Sequence, residues 1–151
     1  MGAVAVDNGI HDAIVNAAPE GAIEFMHGYT YSGHPLAAAA VVATQKLYRE
    51  EHLFQRAALL APYFEEAVHS LRGTRHVIDI RNLEMVAGIE LEPRAGAPGR
   101  RAYEAFVKCF EWGVMVRVTA DIIALSPPLI IEKPHIDKIV ETIRDALKAI
   151  D

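Results

Sequence analysis

Apolar residues along this chain fall into two periods, one helical and one alternating, divided by glycine and proline. Leu53, Ala57, Leu60, Phe64, Val68 and Leu71 recur at steps of three and four, a single stripe that predicts a helix. Pro62 is expected to kink it and Gly73 to stop it. Ile136, Ile139, Val140, Ile143, Leu147 and Ile150 mark a second such helix after Pro134. Tyr103, Phe106, Val107 and Phe110 mark a third, closed by Gly113. Val77 to Ile80 and Met85 to Leu91 read as paired strands around Arg81-Asn82-Leu83-Glu84. Val114 to Thr119 and Ile122 to Leu125 read as a second pair about Ala120-Asp121. Ser126-Pro127-Pro128 ends that sheet, because proline lacks the ladder donor.

The first third is organised differently. Met1 to Val6 is a continuous apolar, β-prone run, expected to be a strand inside a sheet. A chain opening on such a strand is expected to continue a domain that starts upstream. Ile10 to Ala17 reads as a short helix, and Pro35 opens an alanine-rich helix to about Glu50. Between them His27-Gly28-Tyr29-Thr30-Tyr31-Ser32-Gly33-His34 is a polar, aromatic loop. Helices alternating with antiparallel pairs predict an α+β layer, with helices on one face of a small sheet.

Composition narrows the function classes. With 151 residues, 52% hydrophobic, the chain can bury a sizeable core. A net charge of −5 without a basic block gives no footprint for nucleic acid. The longest apolar run, Leu36 to Ala43, is far short of the roughly 20 residues that span a bilayer. The single cysteine, Cys109, excludes an internal disulfide and fits a reducing compartment, so the expected location is cytoplasmic. The seven histidines include no His-Glu-x-x-His spacing, and no metal site is expected. Lys46 and Lys108 are expected on exposed helix faces.

Two features carry chemistry. The hydroxyl-rich loop leads into a helix N-terminus, so its donors either bind a phosphate or, with Ser32 as cap, close the helix. Arg117, between Val116 and Val118, offers either a bidentate fork for a carboxylate or is an ordinary surface or ion-paired arginine.

The run Phe25-Met26-His27-Gly28-Tyr29-Thr30-Tyr31-Ser32-Gly33-His34-Pro35 resembles the class III aminotransferases, and its wording is similar to their ω-amino acid:pyruvate (β-alanine:pyruvate) branch. Met-Gly-Ala-Val-Ala-Val at the start, Val77 to Asn82, and Val116-Arg117-Val118-Thr119 through Pro128 match in order. The resemblance covers essentially the whole chain. It implies a fold-type I enzyme that uses pyridoxal 5'-phosphate and transfers an amino group to pyruvate, giving alanine. Residues 1–50 would be the tail of the large cofactor-binding domain, and residues 51–151 the C-terminal small domain. Thr30, with Tyr29 beside it, would meet the cofactor phosphate of the neighbouring subunit in a homodimer or higher oligomer. Arg117 would receive the carboxylate of the small amino or keto acid.

The Schiff-base lysine would lie about nine residues ahead of Met1, so no catalytic residue is expected in this chain and the chain alone is expected to be inactive. The runners-up are a 4-aminobutyrate or ornithine type of the same class, and a non-catalytic oligomerising remnant. Ala120 stands where the family often has glycine, at a turn where positive φ suits glycine better.

Overall fold

The structure is a computed structural model that describes residues 2–25 and 30–151. The chain divides into two compact units, Met1–Glu50 and Glu51–Asp151.

In the first unit, α1 (Asn8–Asn16) starts where the Asp7 carboxylate accepts the Gly9 N–H at 2.8 Å. Helix α2 (Pro35–Glu50) opens on proline, whose missing N–H would have no partner in a first turn. Neither helix buries a residue. The expected first strand is corrected: residues 2–7 form no strand. An extended run needs a neighbour to take its amides and carbonyls, and no described strand of this unit supplies one.

The second unit follows the periodicity closely. Helices α3 (Leu53–His69), α4 (Arg100–Glu111) and α5 (Lys133–Ala149) cover one face of an antiparallel sheet of order β1-β2-β4-β3. Its strands are β1 (Val77–Leu83), β2 (Val86–Leu91), β3 (Arg117–Thr119) and β4 (Ile122–Leu125). Helix α3 runs on through Pro62, and Gly73 beyond its end takes φ 77°. The buried core joins Phe64 and Val68 of α3, Ile89 and Leu91 of β2, Ile123 of β4, and Ile136, Ile143 and Leu147 of α5.

Two strand boundaries differ from the hydropathy pattern. Arg81 and Asn82 belong to β1, pairing with Gly88 and Ala87, and the turn is the shorter Glu84-Met85. Arg81 looks loop-like only because the outer face of the sheet is solvated. Strand β3 is confined to three residues, since Ser126-Pro127-Pro128 ends β4 and leaves Val114 to Val116 without a ladder partner.

At the β3–β4 turn Ala120 takes φ 49°, the left-handed conformation that its Cβ disfavours. Replacing Ala120 with glycine is therefore expected to stabilise the second unit by up to about 1 kcal/mol, read as a raised midpoint in calorimetry.

Candidate active site around Arg117

Strand register builds the site. Arg81 lies opposite Gly88, Gly88 opposite Ala124, and Ala124 opposite Arg117. Directly opposed residues share a face. One row therefore crosses the outer face, with an arginine on each edge strand and two small residues between. Val116 and Val118, on either side of Arg117, turn toward the core.

The two arginines differ in what holds them. The Arg81 guanidinium donates to Asp79 and to Glu90 at 2.7 Å each, and these two carboxylates hold its pKa above the usual value. Arg117 is exposed, and its guanidinium has no hydrogen bond or ion pair with any described residue. The ion-paired reading describes Arg81, while an exposed Arg117 whose five donors meet no described side chain is open both to an ordinary surface arginine and to a fork for a carboxylate.

A cleft of about 650 Å³ opens beside Arg117, walled by Phe64, Phe106, Val116, Leu125, Pro127 and Ile131. A carboxylate at the guanidinium would thus have apolar walls at its side. No lysine lines the cleft. Lys108 pairs with Glu111 at 2.9 Å, Lys148 with Asp145 at 3.1 Å, and Lys133 lies 4.6 Å from the Tyr63 ring centre. Lys138 is exposed on α5, and Lys46, in the first unit, lies 3.7 Å from Glu50.

In the first unit Thr30 lies in a turn that ends at Gly33, φ 67°, just before α2. Thr30 and Ser32 are exposed, and neither hydroxyl bonds to another described residue. The first helical bond runs from Ala38 N–H to the His34 carbonyl, so the residue at the cap is His34 and the Ser32 cap is corrected. Tyr29 lies outside the described residues. Thr30 and Arg117 belong to different units.

Among the described residues no group of three His, Cys, Asp or Glu could hold a metal ion, and no helix is long and apolar enough to cross a membrane. Cys109 is fully buried, and burial pushes its thiol up to about 11. Iodoacetamide at pH 8 is expected to leave Cys109 unlabelled in the folded chain and to label it in denaturant, as read by mass spectrometry.

The class-III aminotransferase family model matches residues 2–147. The chain belongs to the class-III aminotransferases. Among relatives of this aminotransferase chain, an omega-aminotransferase of Caulobacter vibrioides is 59% identical over 99% of the chain and 34% of its own length. A beta-alanine–pyruvate aminotransferase of Pseudomonas aeruginosa is 40% identical, again over 99% of the chain and 34% of the relative. A thermostable omega transaminase of Pseudomonas jessenii superimposes with a TM-score of 0.75 at 29% identity, covering 83% of this chain and 29% of that one. The aminotransferase chain thus spans about a third of the length of the curated relatives it matches. The α+β small-domain architecture expected from the resemblance is the fold these transaminase structures share.

What hydropathy could not point to is the environment of Arg117. The cleft, the free guanidinium and the buried Asp121 beside its hairpin all depend on register and tertiary contact. The one available signal was compositional, a lone arginine between two valines.

Proposed function

We propose that the aminotransferase carrying this chain moves an amino group from an ω-amino acid or amine of the β-alanine type to pyruvate, giving alanine. One observation carries the reading: Arg117, an unpaired guanidinium on an edge strand beside an apolar cleft. Alanine and pyruvate both bear a carboxylate next to the reacting carbon. Two parallel N–H groups of one fork can hold either acid in the same orientation. The relatives' names, an omega-aminotransferase and a beta-alanine–pyruvate aminotransferase, support that choice of partners.

The family implies pyridoxal 5'-phosphate, and the donor set fits its phosphate. The Thr30 hydroxyl is exposed and bonds to no described residue, in a turn leading to the N-terminus of α2, where backbone dipoles favour an anion. Thr30, with Tyr29 preceding it, would hold the phosphate. When bound, the cofactor supplies the electron sink for the bond changes at the substrate carbon. The work of this chain is to bind and orient: Thr30 fixes the phosphate, and Arg117 fixes the carboxylate end of the acid.

In this reading the protein is a cytoplasmic homodimer or larger homo-oligomer. Measuring rates on the whole enzyme with β-alanine, 4-aminobutyrate and ornithine as donors, and pyruvate as acceptor, tests the substrate class. The fastest turnover is expected with β-alanine. Preference for ornithine or 4-aminobutyrate, with pyruvate refused, would replace this reading by another of the same class.

A further inference from the structure

The strand that carries Arg117 is weak by itself. Strand β3 has three residues, lies at the sheet edge and pairs only with β4. The loop joining them is Ala120-Asp121, and Ala120 is held at φ 49°. A short edge hairpin closed through a strained residue can twist about its one ladder. Any such twist swings the long Arg117 side chain, which no described group restrains.

Asp121 is what ties this loop down. It is a buried ionisable residue, 7% exposed. Its Oδ2 accepts the Gly99 N–H at 2.8 Å, at the start of α4. Its main-chain carbonyl accepts the Leu91 N–H at 2.8 Å, at the end of β2. One residue thereby joins the loop tip to a helix on one side and to the neighbouring strand on the other. Gly99, at φ 78°, completes the contact. A Cβ added there would come within 3.6 Å of the Ala120 carbonyl oxygen.

The second carboxylate oxygen adds a further clue. Oδ1 is buried and accepts no hydrogen bond from any described group. Burying a carboxylate with an unpaired oxygen is costly, and the positive end of α4 offsets only part of the cost. Docking the loop would need no more than a neutral acceptor for one N–H. Asp121 does more than meet one N–H, since its side chain and its main chain together join the hairpin that carries Arg117 to α4 and to β2.

We infer that Asp121 is a positioning residue that fixes the β3–β4 hairpin from which the Arg117 side chain extends, an inference resting on the carboxylate-binding reading of Arg117. It acts through the hairpin and touches no substrate. Its loss therefore weakens recognition of the acid and spares steps in which no carboxylate is held.

The experiment uses the whole aminotransferase with Asp121→Ala, Asp121→Asn, Arg117→Ala and the Asp121→Ala/Arg117→Ala double variant. Two quantities are measured. One is KM and kcat for pyruvate. The other is the single-turnover rate with benzylamine, a donor lacking a carboxylate, followed by the cofactor absorbance. Asp121→Ala is expected to raise the pyruvate KM about tenfold and leave the benzylamine rate within about twofold. Asp121→Asn keeps an acceptor for Gly99 and is expected to show a smaller rise, and it carries the test if the alanine variant does not fold. In the Arg117→Ala background, Asp121→Ala should add almost nothing to the pyruvate KM.

An unchanged pyruvate KM in the Asp121 variants, with Arg117→Ala still raising it, overturns the inference alone. Equal losses with pyruvate and benzylamine make Asp121 merely structural and also overturn it. An Arg117→Ala variant with unchanged pyruvate KM overturns the reading of Arg117, and the inference falls with it.

Discussion

Replacing Arg117 with alanine in the whole aminotransferase is expected to lower kcat/KM for pyruvate about a hundredfold, while turnover of a carboxylate-free amine in the first half-reaction stays near normal. The size follows from what is lost. A charge-assisted, bidentate pair at a partly desolvated site contributes about 3 kcal/mol, and each 1.36 kcal/mol is roughly a factor of ten. The guanidinium has no competing partner among the described residues, so all of its donors are available to the substrate. By the same argument Arg81→Ala, which removes an arginine already tied to Asp79 and Glu90, should leave pyruvate kinetics almost untouched. Arg117→Lys should recover only part of the loss, since an ammonium cannot offer two parallel donors. Steady-state kinetics with pyruvate, beside single-turnover measurements with benzylamine, check all three. Equal losses on both substrates would show that Arg117 serves the fold and not the acid.

The second large effect concerns the core beneath that site. Phe64, on α3, is 1% exposed, belongs to the buried cluster and walls the cleft beside Arg117. Phe64→Ala removes most of a ring from a close-packed interior that can collapse only in part, and such changes cost about 3–5 kcal/mol. A domain of this size is commonly stable by only about 5–15 kcal/mol. The expected result is a fall of roughly 15 °C or more in the midpoint of thermal unfolding, at a few degrees per kcal/mol. Phe64→Leu, which keeps much of the volume, should fall far less. Circular dichroism melts of the two variants distinguish packing from a general intolerance of substitution at that position.

How far the sequence reached depends on where tertiary contact overrides local pattern. The stripes of α3 and α5 were legible because each helix buries one face, and burial forces apolar residues to recur every turn. Strand β1 was legible only at its start. Asp79, Arg81 and Glu90 form a charged cluster on the solvated face, so polar residues that pair in the ladder look like a loop. Strand β3 was read too long because hydropathy does not record that its partner stops at Ser126. The apolar opening run forms no ladder for a related reason: a β-prone composition makes a strand only when another strand is there to pair with it, and no described strand of its unit does so.

The site shows the same division. Arg117 was visible as a residue, while its freedom from ion pairing required the sheet register and the full set of its neighbours. Asp121 drew notice only as the residue after Ala120. Nothing local distinguishes a turn aspartate in water from one buried against Gly99, twenty-two residues earlier in the chain. The loop of Thr30 was readable through its wording, and its exposed Thr30 and Ser32 lie in the turn ahead of α2.

In the proposed function this chain would supply the carboxylate- and phosphate-holding parts of a pyruvate-using aminotransferase, and the lysine for the covalent chemistry would come from outside its own five. The measurement that tests it most directly is alanine formation from β-alanine and pyruvate with added pyridoxal 5'-phosphate, run in parallel on the whole enzyme and on the 151-residue chain alone. Sustained alanine production by the whole enzyme, with the chain alone no faster than the cofactor-only blank, is the predicted result. Turnover by the chain alone, or no alanine from the whole enzyme, would contradict it.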